Sequence, residues 1–295
     1  MTETLQRKQR ILDDFCIFIL SHGNPNDVLT AKSLSKYGYT GKWYILLDTD
    51  DTAISEYIKV FGEEHVTTFD KSEVAKTFDR MDNETDMNTV VYARNACFSK
   101  AKSLGYTYFM EFDDDYYEFQ FRYAEGDHLR ALFPTNLDVV FEALLEYYIS
   151  IPKMKTLCIA QNGDFLGGTD GSHFKARFMR KAMNTFLCST ERPFTFVGYL
   201  NEDVNTYCLC GARGDIFATI MDVSINQTDT QQKDRDNGLT GAYVGEGTYR
   251  KSFYTVMCCP SFVKIGIIGN NHARIHHNVD WKHAVPVIIS DRYKK

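Results

Sequence analysis

Hydrophobic and polar positions alternate along the first 115 residues in blocks rather than singly. The run FCIFIL (15–20) is wholly apolar and stops at Ser21-His-Gly-Asn-Pro25, as a buried strand running into a loop does. The segment VLTAKSLSKYG follows, capped by Asn26 or Asp27 and ended by Gly38, and predicts a helix. WYILLD (43–48) is a second buried strand ending in Asp48-Thr-Asp-Asp51. A helix over 52–61 and a short strand near His65–Phe69 come next. Helical spacing over Asn88–Gly105 then leads into a third apolar strand, YTYFMEF (106–112), which runs directly into Asp113-Asp114-Asp115. Strand and helix alternate, and polar clusters fall at the carboxyl ends of the strands. This pattern predicts a doubly wound α/β sheet with its ligand site at those ends.

Beyond residue 115 the pattern is less regular. Asn136–Tyr148 reads as an amphipathic helix and KTLCIAQ (155–161) as a strand. Gly163–Gly171 is a glycine-rich loop, and Phe194–Leu200 reaches the acidic triplet Asn201-Glu202-Asp203. Asn226–Asn237 reads as an exposed polar loop, and Thr255–Ile268 as an apolar stretch broken by Pro260. The tail gathers His272, Arg274, His276, His277 and His283.

The chain has 295 residues, 44% of them hydrophobic, which suits one large α/β unit or two closely joined halves. Its net charge of −6 excludes a uniformly basic nucleic-acid coat but leaves room for a local basic patch. No apolar run approaches the roughly 20 residues that cross a bilayer, and the first residues lack the apolar core of a signal peptide, so a cytoplasmic protein without membrane contact is expected. The eight cysteines lack paired C-x-x-C spacing and are expected as thiols, not as a zinc site.

Four features carry chemistry. Asp113 and Asp115, two apart beyond a buried strand, can reach one hard cation, Mn²⁺ or Mg²⁺, that bridges to diphosphate oxygens. An acidic turn in solvent is the bland reading of such a pair, and the apolar strand before it argues the other way. Arg94, in Tyr92-Ala-Arg94-Asn95, can pair with phosphate or be a surface residue. Glu202 or Asp203 can take a proton from an acceptor hydroxyl or cap a helix. His276 or a neighbour can give a metal one nitrogen or pack as an ordinary imidazole.

In this order the features resemble the GT-A fold glycosyltransferases, in which a D-x-D motif holds metal and diphosphate, a glycine-rich loop lies at the acceptor side, an x-E-D motif supplies the base of inverting members and a C-terminal His completes the metal sphere. The resemblance implies a GT-A-type Rossmann-like α/β sandwich with a mostly parallel central sheet flanked by helices. It would be a single unit, 1–295, with a nucleotide-sugar-binding half at 11–118, an acceptor-side half at 119–270 and a tail, 271–295, returning to the metal site. It implies Asp113, Asp115 and His276 as metal ligands, and Ser21, His22, Gly23, Asp48, Arg94 and Asp114 around a nucleotide-sugar such as UDP-glucose. Asp203 or Glu202 would be the base if the enzyme inverts the anomeric carbon.

A narrower resemblance rests on residues 237–264. The run Gly247-Thr-Tyr249-x-Lys251-Ser-Phe-Tyr254-x-Val-Met, followed by Pro-Ser-x-Val-Lys264, is similar to the TET-associated glycosyltransferases. That family, found largely in bacteriophages, is proposed to glycosylate hydroxymethylated pyrimidines in DNA. The resemblance implies 5-hydroxymethylcytosine DNA as partner, in the cytoplasm of an infected host. His173–Lys181 interleaves Lys175, Arg177, Arg180 and Lys181 with two Phe, a pattern that can track phosphates and stack a base, or equally form a solvated helix face. Tyr249 and Lys251 join it as acceptor contacts. A target base in a duplex would have to be flipped out. Three other readings remain open: a glycan, lipid or protein acceptor, a nucleotidyltransferase on a related core, and an inactive binding module.

Overall fold

The computed structural model describes residues 10–81, 87–171, 176, 178–228, 250–268 and 274–286. Four parallel strands form one half of the main sheet in the order β3 (Val66–Phe69), β2 (Lys42–Asp48), β1 (Phe15–Leu20) and β4 (Tyr108–Asp113). Helices α1 (Leu29–Lys36), α2 (Ile54–Phe61), α3 (Lys71–Ala75) and α4 (Val91–Leu104) connect them. All six β1 residues are buried, because helices cover both faces. Phe15, Ile17 and Ile19 pack with Leu34 of α1 and Phe141, while Cys16, Phe18 and Leu20 pack with Val91, Tyr92 and Ala96 of α4. Each large side chain sunk this way contributes roughly 1.5–3 kcal/mol. Gly105 ends α4 in the left-handed region, φ 85°, as a helix C-terminus favours.

The second half adds β5 (Tyr116–Glu125), β6 (His128–Leu132), α5 (Leu137–Ser150), β7 (Met154–Gln161), β8 (Phe186–Ser189), α6 (Glu202–Ala212) and β9 (Ile216–Gln227). A helix over 250–258 (α7), the hairpin β10 (Val263–Ile268) and β11 (Arg274–Val279), and α8 (Trp281–Ala284) follow. The main sheet runs β3-β2-β1-β4-β8-β7-β9-β5-β6. It is mixed: β8 is antiparallel to β4 and β7, β9 is parallel to β7, and β5 is antiparallel to β9 and β6. Both cores draw on both halves, as with Phe15 and Ile225 in one and Phe18 and Phe217 in the other.

This order places one constraint on shape. Strands β4 and β5 are four inter-strand steps apart, about 19 Å at the usual spacing. Only Asp114 and Asp115 join Asp113 to Tyr116, a reach of about 11 Å. The sheet therefore curls, bringing β5 and the end of β9 back over the tip of β4. A register shift in β9 between the partners of Ile159 and Ala160 marks the bend, as bulges commonly do.

The early elements match the sequence pattern, and α5 begins at Asn136, whose side chain accepts from the Asp138 and Val139 amides. Four strands of the main sheet escaped it. β5 and β6 are half-exposed and carry charges, β8 has four residues, and β9 mixes polar with apolar positions. The polar stretch expected as a loop from Asn226 is still strand there: Asn226 and Gln227 pair with Glu118 and Tyr116.

Candidate active site

The acidic turn is built by its neighbours. Apolar β4 ends at Asp113, and α1 holds the turn from behind through two buried hydroxyls. Thr30 Oγ1 donates to the Asp113 carbonyl at 2.6 Å and accepts from the Tyr116 amide at 3.0 Å, while the Thr30 amide donates to the Asp114 carbonyl at 3.0 Å. Ser33 Oγ donates to the Tyr116 carbonyl at 2.5 Å. The side chains then diverge. Asp114 accepts from Ser21 Oγ at 2.5 Å, and Asp115 accepts from Thr228 Oγ1 at 3.0 Å. All three carboxylates are half-buried.

Arg94 joins this turn to the distant acidic triplet. Its guanidinium is 2% exposed and lies over the Phe186 ring. Nη2 bonds Asp113 at 3.1 Å, Nε bonds Glu202 at 3.1 Å, and Nη1 lies 3.5 Å from Glu111. Glu202 opens α6, and Asn201 before it takes the left-handed region, φ 53°. The Asn201 side chain donates to the Lys251 carbonyl at 2.7 Å and Thr255 Oγ1 at 3.0 Å, tying α7 to this corner. Asp203 is half-buried, and among the described residues its side chain has no hydrogen-bond or ion-pair partner.

Carboxylates outnumber cations here. Glu111, Asp113, Asp114, Asp115, Glu202 and Asp203 surround one Arg, and burial raises the proton affinity of most of them. Burial, with the Asp113 charge, pushes Asp115 up to about 7. Asp114 rises to about 6 and Asp113 also moves up, each chiefly by burial. Burial and the Asp203 charge take Glu202 to about 7 against the pull of Arg94, and fully buried Glu111 goes to about 8. Arg94 moves up: burial opposes its charge, and Asp113, Glu202 and Glu111 outweigh that.

The expected nucleotide side forms a second cluster at the tips of β1 and β2. Ser21 Oγ is also 2.8 Å from the Tyr57 hydroxyl. Gly23, at φ 70°, donates its amide to Asp51 at 2.9 Å, and His22 Nδ1 lies 3.2 Å from the same Asp51 oxygen. Asp48 is 7% exposed, with one oxygen 2.8 Å from Lys71 Nζ and the other buried without a partner. Pattern reading missed Asp51, Tyr57, Lys71, Thr228 and Glu111. Of these Glu111 alone carried a signal, as the one charge inside an apolar strand.

The acceptor-side residues are only partly assembled. Lys181 and Lys251 both act on His277, which burial and the charges of His276, Lys251 and Lys181 push down to about 3. His276 stacks on His277, ring centres 4.3 Å apart, and Ser252 Oγ bonds the Ile275 carbonyl at 3.0 Å. Arg180, expected to track phosphate, is instead buried with its guanidinium 2.7 Å from Asp164. Lys175, Arg177, Tyr249 and His272 lie outside the described residues.

Among the described residues no group of three or more His, Cys, Asp or Glu is arranged to hold a metal, and His276 is not joined to the aspartates in such a group. The donor set still suits a divalent ion. Asp113 gives one oxygen to Arg94 and Asp115 one to Thr228, so each keeps a second oxygen. Mg²⁺ and similar hard cations take one or two carboxylates and complete their shell with water and substrate phosphate. The surplus negative charge is what such an ion would offset. All eight cysteines are free, and among the described residues no helix is long and apolar enough to cross a membrane.

The chain belongs to the TET-Associated Glycosyltransferase family, whose model matches residues 15–236. The match runs from the first residue of β1 past Thr228, through the acidic turn, Arg94 and Glu202-Asp203, and it stops before the 237–264 run that first suggested the family. Membership makes the protein a glycosyltransferase. Glucosyl-3-phosphoglycerate synthase from Mycobacterium tuberculosis, solved with Mn²⁺, uridine diphosphate and phosphoglyceric acid, is similar at 11% identity and TM-score 0.45, covering 93% of this chain and 88% of that one. Mannosyl-3-phosphoglycerate synthase from Rubrobacter xylanophilus is similar at 11% identity and TM-score 0.41, covering 90% and 84%. Likeness this distant adds nothing to what the site itself shows. No curated protein matches the sequence significantly.

Proposed function

We propose that this glycosyltransferase moves a sugar from a nucleotide-sugar, a UDP-sugar in the first instance, to a hydroxyl acceptor. The acceptor we infer is the hydroxymethyl group of 5-hydroxymethylcytosine in DNA. One observation carries the reading: Arg94 gathers Asp113, from the tip of β4, and Glu202, beside unengaged Asp203, into one charge-imbalanced cluster.

The nucleoside lies over β1 and β2, among Ser21, His22, Gly23 and Asp48. The unpartnered Asp48 oxygen offers an acceptor for a base or ribose donor. Asp113 and Asp115 would hold Mn²⁺ or Mg²⁺, which would neutralise charge on the departing diphosphate. Arg94 faces three carboxylates and is buried, so it positions Asp113 and Glu202 and does not grip phosphate. Asp203 serves as base, because it alone of the two candidate carboxylates has no partner among the described residues. It takes the acceptor proton as the hydroxyl oxygen bonds the anomeric carbon. The bond from that carbon to the diphosphate oxygen breaks, and its electron pair leaves with the nucleoside diphosphate. Inversion at the anomeric carbon follows from this in-line geometry.

The test is mass spectrometry of hydroxymethylcytosine oligonucleotides after incubation with the protein, Mn²⁺ and a panel of nucleotide-sugars. Free sugars, lipids and proteins serve as parallel acceptors. A hexose mass on the oligonucleotide, with nucleoside diphosphate released, is expected. Transfer only to the other acceptors would remove DNA and keep the transferase, and pyrophosphate release would mark nucleotidyl transfer.

A further inference from the structure

A cavity of about 410 Å³ opens between the β5–β6 hairpin and the loop after β7. Arg122, Asp127 and Leu129 line it from the hairpin, and Asn162, Gly163 and Phe165 from the loop, so one carboxylate shares the cavity with the Arg122 cation. Its best-defined feature is Arg122. The guanidinium lies over the Phe165 ring at 4.8 Å, donates from Nε to Ser224 Oγ at 3.1 Å and from Nη2 to Asn162 Oδ1 at 2.7 Å. Both partners are neutral, and among the described residues no carboxylate lies within ion-pair distance of Arg122. A guanidinium preset by neutral partners and a ring, with no carboxylate spent on it, is prepared for an anion from outside. Burial lowers the Arg122 pKa, and the charge of Glu118 only partly opposes that.

The cavity is tied to the aspartate turn by a short chain of contacts. Asp115 is bonded by Thr228, whose neighbour Gln227 accepts from Gln161 Nε2 at 3.1 Å, and Gln161 precedes the Asn162 that holds Arg122. Arg122 lies six residues along β5 from Tyr116, about 20 Å at the rise of a strand, so the cavity stands a few nucleotide lengths from the aspartate turn. An anion bound there belongs to the acceptor, not the donor.

We propose that this cavity is an acceptor subsite in which Arg122 binds a phosphate group of a polynucleotide while Phe165 and Leu129 offer apolar surface to the adjoining sugar or base. The proposal rests on the DNA-acceptor reading above. Its volume suits a single nucleotide unit rather than a duplex, so it takes one phosphate of an unpaired strand a few units from the target base.

Two variants test it independently. Arg122→Gln removes the charge and keeps a donor. Gly163→Leu fills the cavity, and a Cβ at Gly163 meets nothing within 4 Å, so the loop accommodates it. Fluorescence anisotropy with a single-stranded hydroxymethylcytosine oligonucleotide, without donor, reads affinity across salt concentrations, and the thermal shift with UDP and Mn²⁺ reads the donor site. Both variants should weaken oligonucleotide binding about tenfold or more. Arg122→Gln should also reduce the salt slope by about one. The UDP shift should stay unchanged. Competition by free deoxycytidine monophosphate as strong as by the oligonucleotide would assign the site to a small phosphorylated acceptor and overturn the polynucleotide claim. Wild-type affinity and salt slope in both variants would overturn the site. Wild-type protein that binds oligonucleotide but shows no UDP shift would instead sink the donor reading and leave this subsite standing.

Discussion

Arg94 Nη2 lies 3.1 Å from Asp113 Oδ1, so the first aspartate of the turn is bound by a cation carried on a different element, α4. The same guanidinium reaches Glu202 at the start of α6, 108 residues further on. One buried side chain thus sets the distance between the proposed diphosphate end and the proposed base.

Removing that cation leaves Asp113, Glu111 and Glu202 facing one another without compensation. Arg94→Met should cost about 3–5 kcal/mol, the usual penalty for breaking a buried pair. Urea unfolding at neutral pH would show it as a lower midpoint with an unchanged slope. A midpoint within error of wild type would mean the three acids are already protonated.

Glu202 and Asp203 should separate by their effects. Asp203→Asn should abolish transfer without lowering the melting temperature, because among the described residues Asp203 has no bonding partner and its charge repels Glu202. Glu202→Gln should lower the melting temperature and reduce, not eliminate, turnover, because it loosens Arg94. Steady-state kinetics beside calorimetry checks both, and the reverse pattern would exchange their roles.

The pH dependence has a definite sign. Asp115 titrates near 7 in the folded protein against an ordinary 3.8. A raised carboxyl contributes its full stabilisation below the unfolded value and loses it as pH rises through about 7. In chelator, Asp115→Asn should therefore melt above wild type at pH 8, with the gap closing toward pH 4. A gap that does not vary with pH would show that Asp115 is not desolvated.

Metal and nucleotide should act together. Mn²⁺ with UDP at a hundredfold excess over Kd should raise the melting temperature by roughly 5 °C. A chelator should reverse the shift, and Asp113→Ala should abolish it. Equal shifts in wild type and Asp113→Ala would move the metal elsewhere.

Much of the parallel half was legible because its signals are local. FCIFIL, WYILLD and YTYFMEF are apolar throughout since helices cover both their faces, and each polar block after them reaches the strand tips. Asp113 and Asp115 stood out for that reason, and Glu202-Asp203 as an acidic triplet with Asn201 after Phe194–Leu200. Arg94 was visible as a candidate but with its partner misjudged: it faces carboxylates, and no local pattern could place residue 202 beside residue 94. Arg180 misled in the same way, because a basic-aromatic stretch reads as exposed until Asp164 is folded against it. β5 and β9 stayed hidden because strands that carry charge on a half-open face look like loops.

The chain's own pattern determined that strands β1, β2 and β4 would be buried, that they would alternate with helices, and that acids would crowd their carboxyl ends. Burial of apolar side chains is an additive, local preference, and it is written where it acts. Only the folded arrangement decided which acids share Arg94, that Asp203 has no partner among the described residues, and that Arg122 would rest on Asn162, Ser224 and Phe165. Those outcomes depend on distances between residues far apart in sequence, and such distances exist only once the sheet has closed.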